Sequence, residues 1–136
     1  MKVEQTEERP ISGKPLSAPQ VLQKPRNSKL LEGTDVTFQA KISGNPPPKI
    51  YWFKNGQPLA PSQRIKLSFK DNLATLHIHM ALPEDAGYYT LLAENKSGRV
   101  ASSCHLVIES LGTMDEKVST KYESLQIETT ENLENR

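Results

Sequence analysis

Cysteine is nearly absent from this sequence: Cys104 is the single one in 136 residues. No disulfide can close within the chain, which fits a reducing compartment better than an oxidising one. Long apolar runs are missing as well. Nothing approaches the roughly 20 consecutive apolar residues of a membrane-spanning helix, and the opening MKVEQTEERP has no apolar stretch of the secretory kind. The expected setting is therefore cytoplasmic, with no membrane partner. Aromatics make up 6% and hydrophobic residues 35% of the chain, little for a sequence packed along its whole length, so part of it should be polar linker. Gly-rich phosphate loops, a nucleophile elbow and a Cys-His pairing are all lacking, so no enzyme and no cofactor is expected. Basic residues are not interleaved with aromatics, which argues against nucleic acid.

What is present divides into three parts. Residues 1–17 are polar and broken by Pro10, Gly13 and Pro15, and read as a flexible N-terminal linker. Residues 110–136 carry a net charge of −3. Despite a capping pair at Thr120 and Glu123, polar and β-branched residues dilute any helical period, so this acidic tail is read as disordered. Between them, residues 18–109 hold eleven basic and seven acidic residues, a balance of +4, and show short alternating runs separated by turn residues. That spacing is the signature of an all-β sandwich or barrel. The runs are VLQK before Pro25, DVTFQAKI, KIYWFK, RIKLSF, ATLHIHM, GYYTLLAEN and RVASSCHLVI. Asn55-Gly56 is a two-residue hairpin signal, because both positions of a type I′ turn need positive φ, and Asp71-Asn72 marks another turn. In the last run Cys104 shares a face with Val100, Ser102, Leu106 and Ile108, so it reads as a small buried residue rather than a reactive thiol.

In register, these residues resemble an immunoglobulin domain of the intermediate set over about Ala18 to Glu109. Asp85, Gly87 and Tyr89 match the Asp-x-Gly-x-Tyr-x-Cys pattern of strand F, Leu76 and Ile78 match strand E, and Trp52 matches the strand C tryptophan. Leu91 and Ala40 stand at the two cysteine positions. The resemblance implies a Greek-key β-sandwich without its inter-sheet disulfide, flanked by flexible tails. It also implies that Tyr89 forms a tyrosine corner, that Gly87 allows close approach there and that Asp85 pairs with Arg64. A bridge closing such a loop would contribute about 4 kcal/mol. A large Leu91 opposite a small Ala40 would replace it with packing worth roughly 1.5–3 kcal/mol. The phrases GNPPPKIYWFKNGQPL and YYTLLAENKSGRV are similar to the intracellular modules of the titin, palladin, myopalladin and myotilin kind. That likeness implies a non-enzymatic interaction or structural module of a sarcomeric or actin-cytoskeletal scaffold. Its partners would be other proteins, F-actin or sarcomeric proteins among them, or neighbouring immunoglobulin domains of the same chain.

Several groups are candidates for a site. Lys41, Lys49, Lys54, Arg64, Lys66 and Lys70 fall on the strands matching B, C and D, and their positive field suits an acidic partner such as an actin filament. Because those strands divide between two sheets, a dispersed solvated coat is the competing expectation. An exposed edge could instead pair with a partner's extended segment, and RVASSCHLVI and the first strand are the two edges expected. Pro46-Pro47-Pro48 is read as shaping a loop. His77 and His79 project from one face, but His105 lies on the other sheet and no acidic residue flanks the pair in sequence, so no metal site is expected. The sequon Asn95-Lys96-Ser97 motivates one alternative, an extracellular adhesion or receptor domain, although it is read as unglycosylated. A passive mechanical spacer within a longer chain is another.

Overall fold

Period-two alternation makes these segments strands, because successive side chains leave opposite faces of a pleated backbone. VTFQAKI thus turns Val36, Phe38, Ala40 and Ile42 to one side, all buried, and Thr37, Gln39 and Lys41 to the other, all exposed. The computed structural model describes residues 9–110. Its strands are β1 (Ser17–Gln23), β2 (Ser28–Leu31), β3 (Val36–Asn45), β4 (Lys49–Lys54), β5 (Gln57–Pro58), β6 (Ile65–Lys70), β7 (Leu73–Ile78), β8 (Gly87–Asn95) and β9 (Gly98–Glu109). A 3₁₀ turn at Pro83–Asp85 connects β7 to β8. One sheet has the order β1-β3-β7-β6 and the other β2-β9-β8-β4-β5, the two halves of an immunoglobulin-like sandwich.

Local chemistry explains the connections. Asn55 (φ 49°) and Gly56 (φ 83°) turn β4 into β5, while Asp71 (φ 54°) and Asn72 (φ 67°) turn β6 into β7. Asn and Asp tolerate this left-handed region better than other side chains do. The prolines around the first strand break it in two. β1 pairs antiparallel with β3, then after Pro25 the chain crosses to the other sheet, where β2 runs parallel to the end of β9. This corrects the reading of the last run as an open edge at its end: β2 pairs with Leu106–Glu109, while Gly98–Leu106 pair with β8 on the other side. The outer strands are β1 and β6 in one sheet, β2 and β5 in the other.

The interior is built from both inner faces. Phe38 and Tyr89 stack across it with ring centroids 5.6 Å apart, and Ala40, Trp52, Ala74, Leu76, Ile78, Leu91, Cys104 and Leu106 are all buried around them. Ala40 from β3 and Leu91 from β8 line this core from opposing sheets where a disulfide would otherwise sit. Burial pushes the Cys104 thiol up to about 11, so it stays protonated at neutral pH. Before β1, Asn45 ties the chain down: its Oδ1 accepts from Ile11 N (2.6 Å) and its Nδ2 donates to the carbonyls of Lys14 and Pro15 (3.2 and 3.0 Å).

Candidate functional site

The charged residues separate into three settings once the sheets are assembled. The first is a corner where β6 meets the turn before β8. Arg64 donates to Asp85 through two nitrogens, Nη1 to Oδ2 at 2.9 Å and Nη2 to Oδ1 at 3.2 Å. The Leu82 amide donates to Asp85 Oδ2 at 2.7 Å, and the Tyr89 hydroxyl donates to the Asp85 carbonyl at 2.5 Å. Burial alone would raise the Asp85 carboxyl, but the Arg64 hydrogen bonds, the Leu82 amide and the charges of Arg64 and Lys54 outweigh it and hold the group below its ordinary value. Burial, reinforced by the Asp85 charge, drives the Tyr89 hydroxyl upward, so it remains a donor. Gly87 has φ 145°, and a Cβ there would come within 2.7 Å of Asn55 Oδ1, which accepts from the Tyr88 amide. Lys54 reaches the Glu84 carbonyl across the same corner. Arg64 and Lys54 are therefore occupied by the fold itself.

The second setting is the outer face of the four-stranded sheet. Lys70 and Lys41 flank Leu73 in one cross-strand row, Ser68, Thr75 and Gln39 form the next, and Lys66, His77 and Thr37 the third. Residues directly opposite across a ladder share a face. Lys41, Lys66 and Lys70, on the strands matching B and D, thus share one exposed surface, while Lys49 and Lys54 on β4 belong to the other sheet. Beside β3 the surface continues into a polar cleft of about 220 Å³ bordered by Lys24, Arg26, Asn27, Thr37 and Gln39. Lys24 and Arg26 were missed in the sequence because they flank Pro25 at the end of the first run, where no local pattern shows that they border the same cleft as Thr37 and Gln39 of β3. Lys49 is elsewhere, in a cleft of about 250 Å³ with Pro46, Pro47, Tyr51, Glu94 and Lys96.

The third is a cluster at one end of that sheet face. Asp35, in the loop before β3, approaches both histidines of the β7 end. Its Oδ2 lies 3.2 Å from His77 Nε2 and its Oδ1 lies 3.0 Å from His79 Nδ1. This corrects the expectation that the histidine pair lacks an acidic neighbour: β3–β7 pairing, which sets Val36 opposite Ile78, brings together residues more than forty positions apart. The Met80 amide donates to Asp35 Oδ1 at 2.9 Å. With the His79 hydrogen bond, it holds the Asp35 carboxyl below its usual value. Thr37 Oγ1 lies 2.7 Å from His77 Nδ1 and fixes that ring. His105 takes no part; it stacks on Tyr88 at a centroid distance of 4.2 Å on the five-stranded sheet.

Asn95 carries the sequon, and its amide is committed. Nδ2 donates to the Ser17 and Pro46 carbonyls, both at 2.9 Å, while Oδ1 accepts from Ser97 N at 2.8 Å. The nitrogen that would carry a glycan instead joins β1, the β3–β4 loop and β8.

Comparison with known proteins gives one consistent result. The family model for the immunoglobulin I-set domain matches residues 19–108. A titin of Drosophila melanogaster is 50% identical over 95 residues, covering 70% of this chain and, to the nearest per cent, 0% of the titin. Myopalladin of Mus musculus is 38% identical over 88 residues, covering 63% of this chain and 7% of its own. Among solved structures, the titin domains Z1Z2 in complex with telethonin align with a TM-score of 0.69 at 34% identity, covering 71% of this chain and 50% of that one. The chain thus spans only a small fraction of the curated relatives it matches.

Proposed function

Given that the chain belongs to the immunoglobulin I-set family, we propose that it is a non-enzymatic interaction module of a sarcomeric or actin-cytoskeletal scaffold. Its binding surface is the outer face of the four-stranded sheet, and its partner is an acidic protein surface, the actin filament foremost. The observation that carries this reading is the convergence of Lys41, Lys66 and Lys70 on one exposed face, with Lys24 and Arg26 bordering it. Charges spread over one flat sheet create a field that accelerates encounter with an acidic partner and weakens with salt. The relatives support the setting, since titin and myopalladin are proteins of the muscle cytoskeleton, and titin domains of this fold are known in complex with telethonin. The six basic residues first considered reduce to these three, because Arg64 and Lys54 are held in the corner and Lys49 faces a different cleft.

The extracellular alternative loses its motivation in Asn95. A glycan on Nδ2 would take one of the two hydrogens that it donates to the Ser17 and Pro46 carbonyls, breaking one of the bonds that hold three chain segments together. Co-sedimentation with actin filaments tests the proposal. The chain should pellet at low salt, less at raised salt, and the triple variant Lys41→Glu, Lys66→Glu, Lys70→Glu should stay in the supernatant. Absence of pelleting at low salt ends the actin reading, and equal pelleting by the triple variant moves the surface elsewhere.

A further inference from the structure

The geometry points to a divalent transition-metal site of the zinc type at Asp35, His77 and His79, with its remaining coordination open to solvent. The three side chains each offer one ligand atom, and these atoms all lie within 4.8 Å of one another. Zinc bound by His nitrogen and Asp oxygen at about 2.0–2.1 Å in a tetrahedron sets neighbouring ligand atoms about 3.3 Å apart. Two of the three separations here already match on a single carboxylate oxygen: Asp35 Oδ2 lies 3.2 Å from His77 Nε2 and 3.2 Å from His79 Nδ1. The ion would sit between these atoms, and only the two imidazoles need to draw together.

Outer partners for the ligands are already in place. A metal-bound imidazole holds its second nitrogen with a hydrogen bond that sets the tautomer. His77 has such a partner: Thr37 Oγ1 lies 2.7 Å from Nδ1 and can accept its proton, leaving the Nε2 lone pair for the ion. The Asp35 carboxylate is oriented by the Met80 amide, and His79 is held at the backbone, where its amide donates to the Arg64 carbonyl at 2.7 Å. One carboxylate and two neutral imidazoles suit a borderline ion such as zinc rather than calcium or magnesium, which prefer all-oxygen shells. The cations beside the site are Lys66, in register with His77, and Arg64, which is engaged by Asp85. At half-exposed histidines the open positions face solvent, where a carboxylate or imidazole from another molecule could complete the shell.

The 136-residue chain, freed of metal by chelator, is titrated with Zn(II) by calorimetry and with Co(II) by visible absorption. One equivalent should bind, and backbone amide shifts in NMR spectra should move around residues 35, 77 and 79. His79→Gln should weaken binding at least tenfold, the double variant His77→Gln, His79→Gln should abolish the Co(II) bands, and Thr37→Val should weaken binding roughly tenfold through loss of the outer hydrogen bond. No saturable binding overturns the site, as does unchanged affinity in the double variant. Shifts confined to other residues overturn it even if the variants misfold, because they are read on the parent chain. Actin pelleting is scored separately with chelator present, so the two proposals fail independently.

Discussion

Two carboxylates stand on either side of the same backbone segment, His79–Met80, and do opposite things. Asp85 is 7% exposed, clamped by Arg64, and completes the corner under Tyr89. Asp35 is 47% exposed, accepts from the Met80 amide and reaches two histidines. Arg64 also approaches the carbonyls of His79 and Met80 at 3.3 and 3.4 Å, so the buried corner positions the backbone on which the exposed cluster is built. Burial accounts for the difference. A desolvated carboxylate must have every acceptor satisfied, and so becomes structural. A solvated one can exchange partners at little cost, and so stays available to a ligand. The basic residues divide as well: Arg64 and Lys54 are occupied at the corner, and Lys41, Lys66 and Lys70 lie exposed on the open sheet.

The interior beneath both sites sets the largest effect. Leu91→Ala should cost about 2–5 kcal/mol in denaturant unfolding, because neighbouring groups cannot fill the space; a loss well under 1 kcal/mol would show that Leu91 does not plug the core. Next comes the corner. Asp85→Ala should cost about 3 kcal/mol, since it strands the Arg64 guanidinium and the Leu82 amide together. Its pH signature has a definite sign. The folded Asp85 value lies below the ordinary 3.8, so its contribution is fully present above that pH and is lost as pH falls through the folded value. Asp85→Asn should accordingly flatten acid unfolding in that window, and an unchanged acid limb would deny the corner its charge. Tyr89→Phe removes one buried hydrogen bond and should cost about 1–2 kcal/mol. Smallest is Asp35→Asn, which keeps an acceptor for the Met80 amide; its denaturation midpoint should coincide with the parent's while zinc binding falls. A marked destabilisation there would erase the distinction between the two carboxylates.

Much of the fold was legible before any coordinates. Period-two alternation placed β4, β8 and β9 almost to the residue, Asn55-Gly56 marked the β4–β5 turn and Asp71-Asn72 the β6–β7 turn, because pleating and positive φ are local constraints written in neighbouring residues. The crossing of the chain from β1 to β2 was not legible. Prolines signal a break, but a parallel partner seventy-odd positions away depends on which edge is left uncovered. The site followed the same division. Arg64 and Asp85 could be named as a pair only through the resemblance, and Asp35 could not be joined to His77 and His79 at all, since no local period spans the distance.

The sequence by itself determined the strands, their turns and the lack of a bridge, which follow from hydrophobic period, backbone preference and a cysteine count, and the resemblance implied the sandwich. Only the tertiary structure decided which charges are spent and which are free. Strand pairing brought Lys41, Lys66 and Lys70 to one face and Asp35 against two histidines, while burial fixed Arg64 on Asp85. Register and desolvation are properties of the assembled sheets, and a one-residue slip would turn every one of those side chains to the other face.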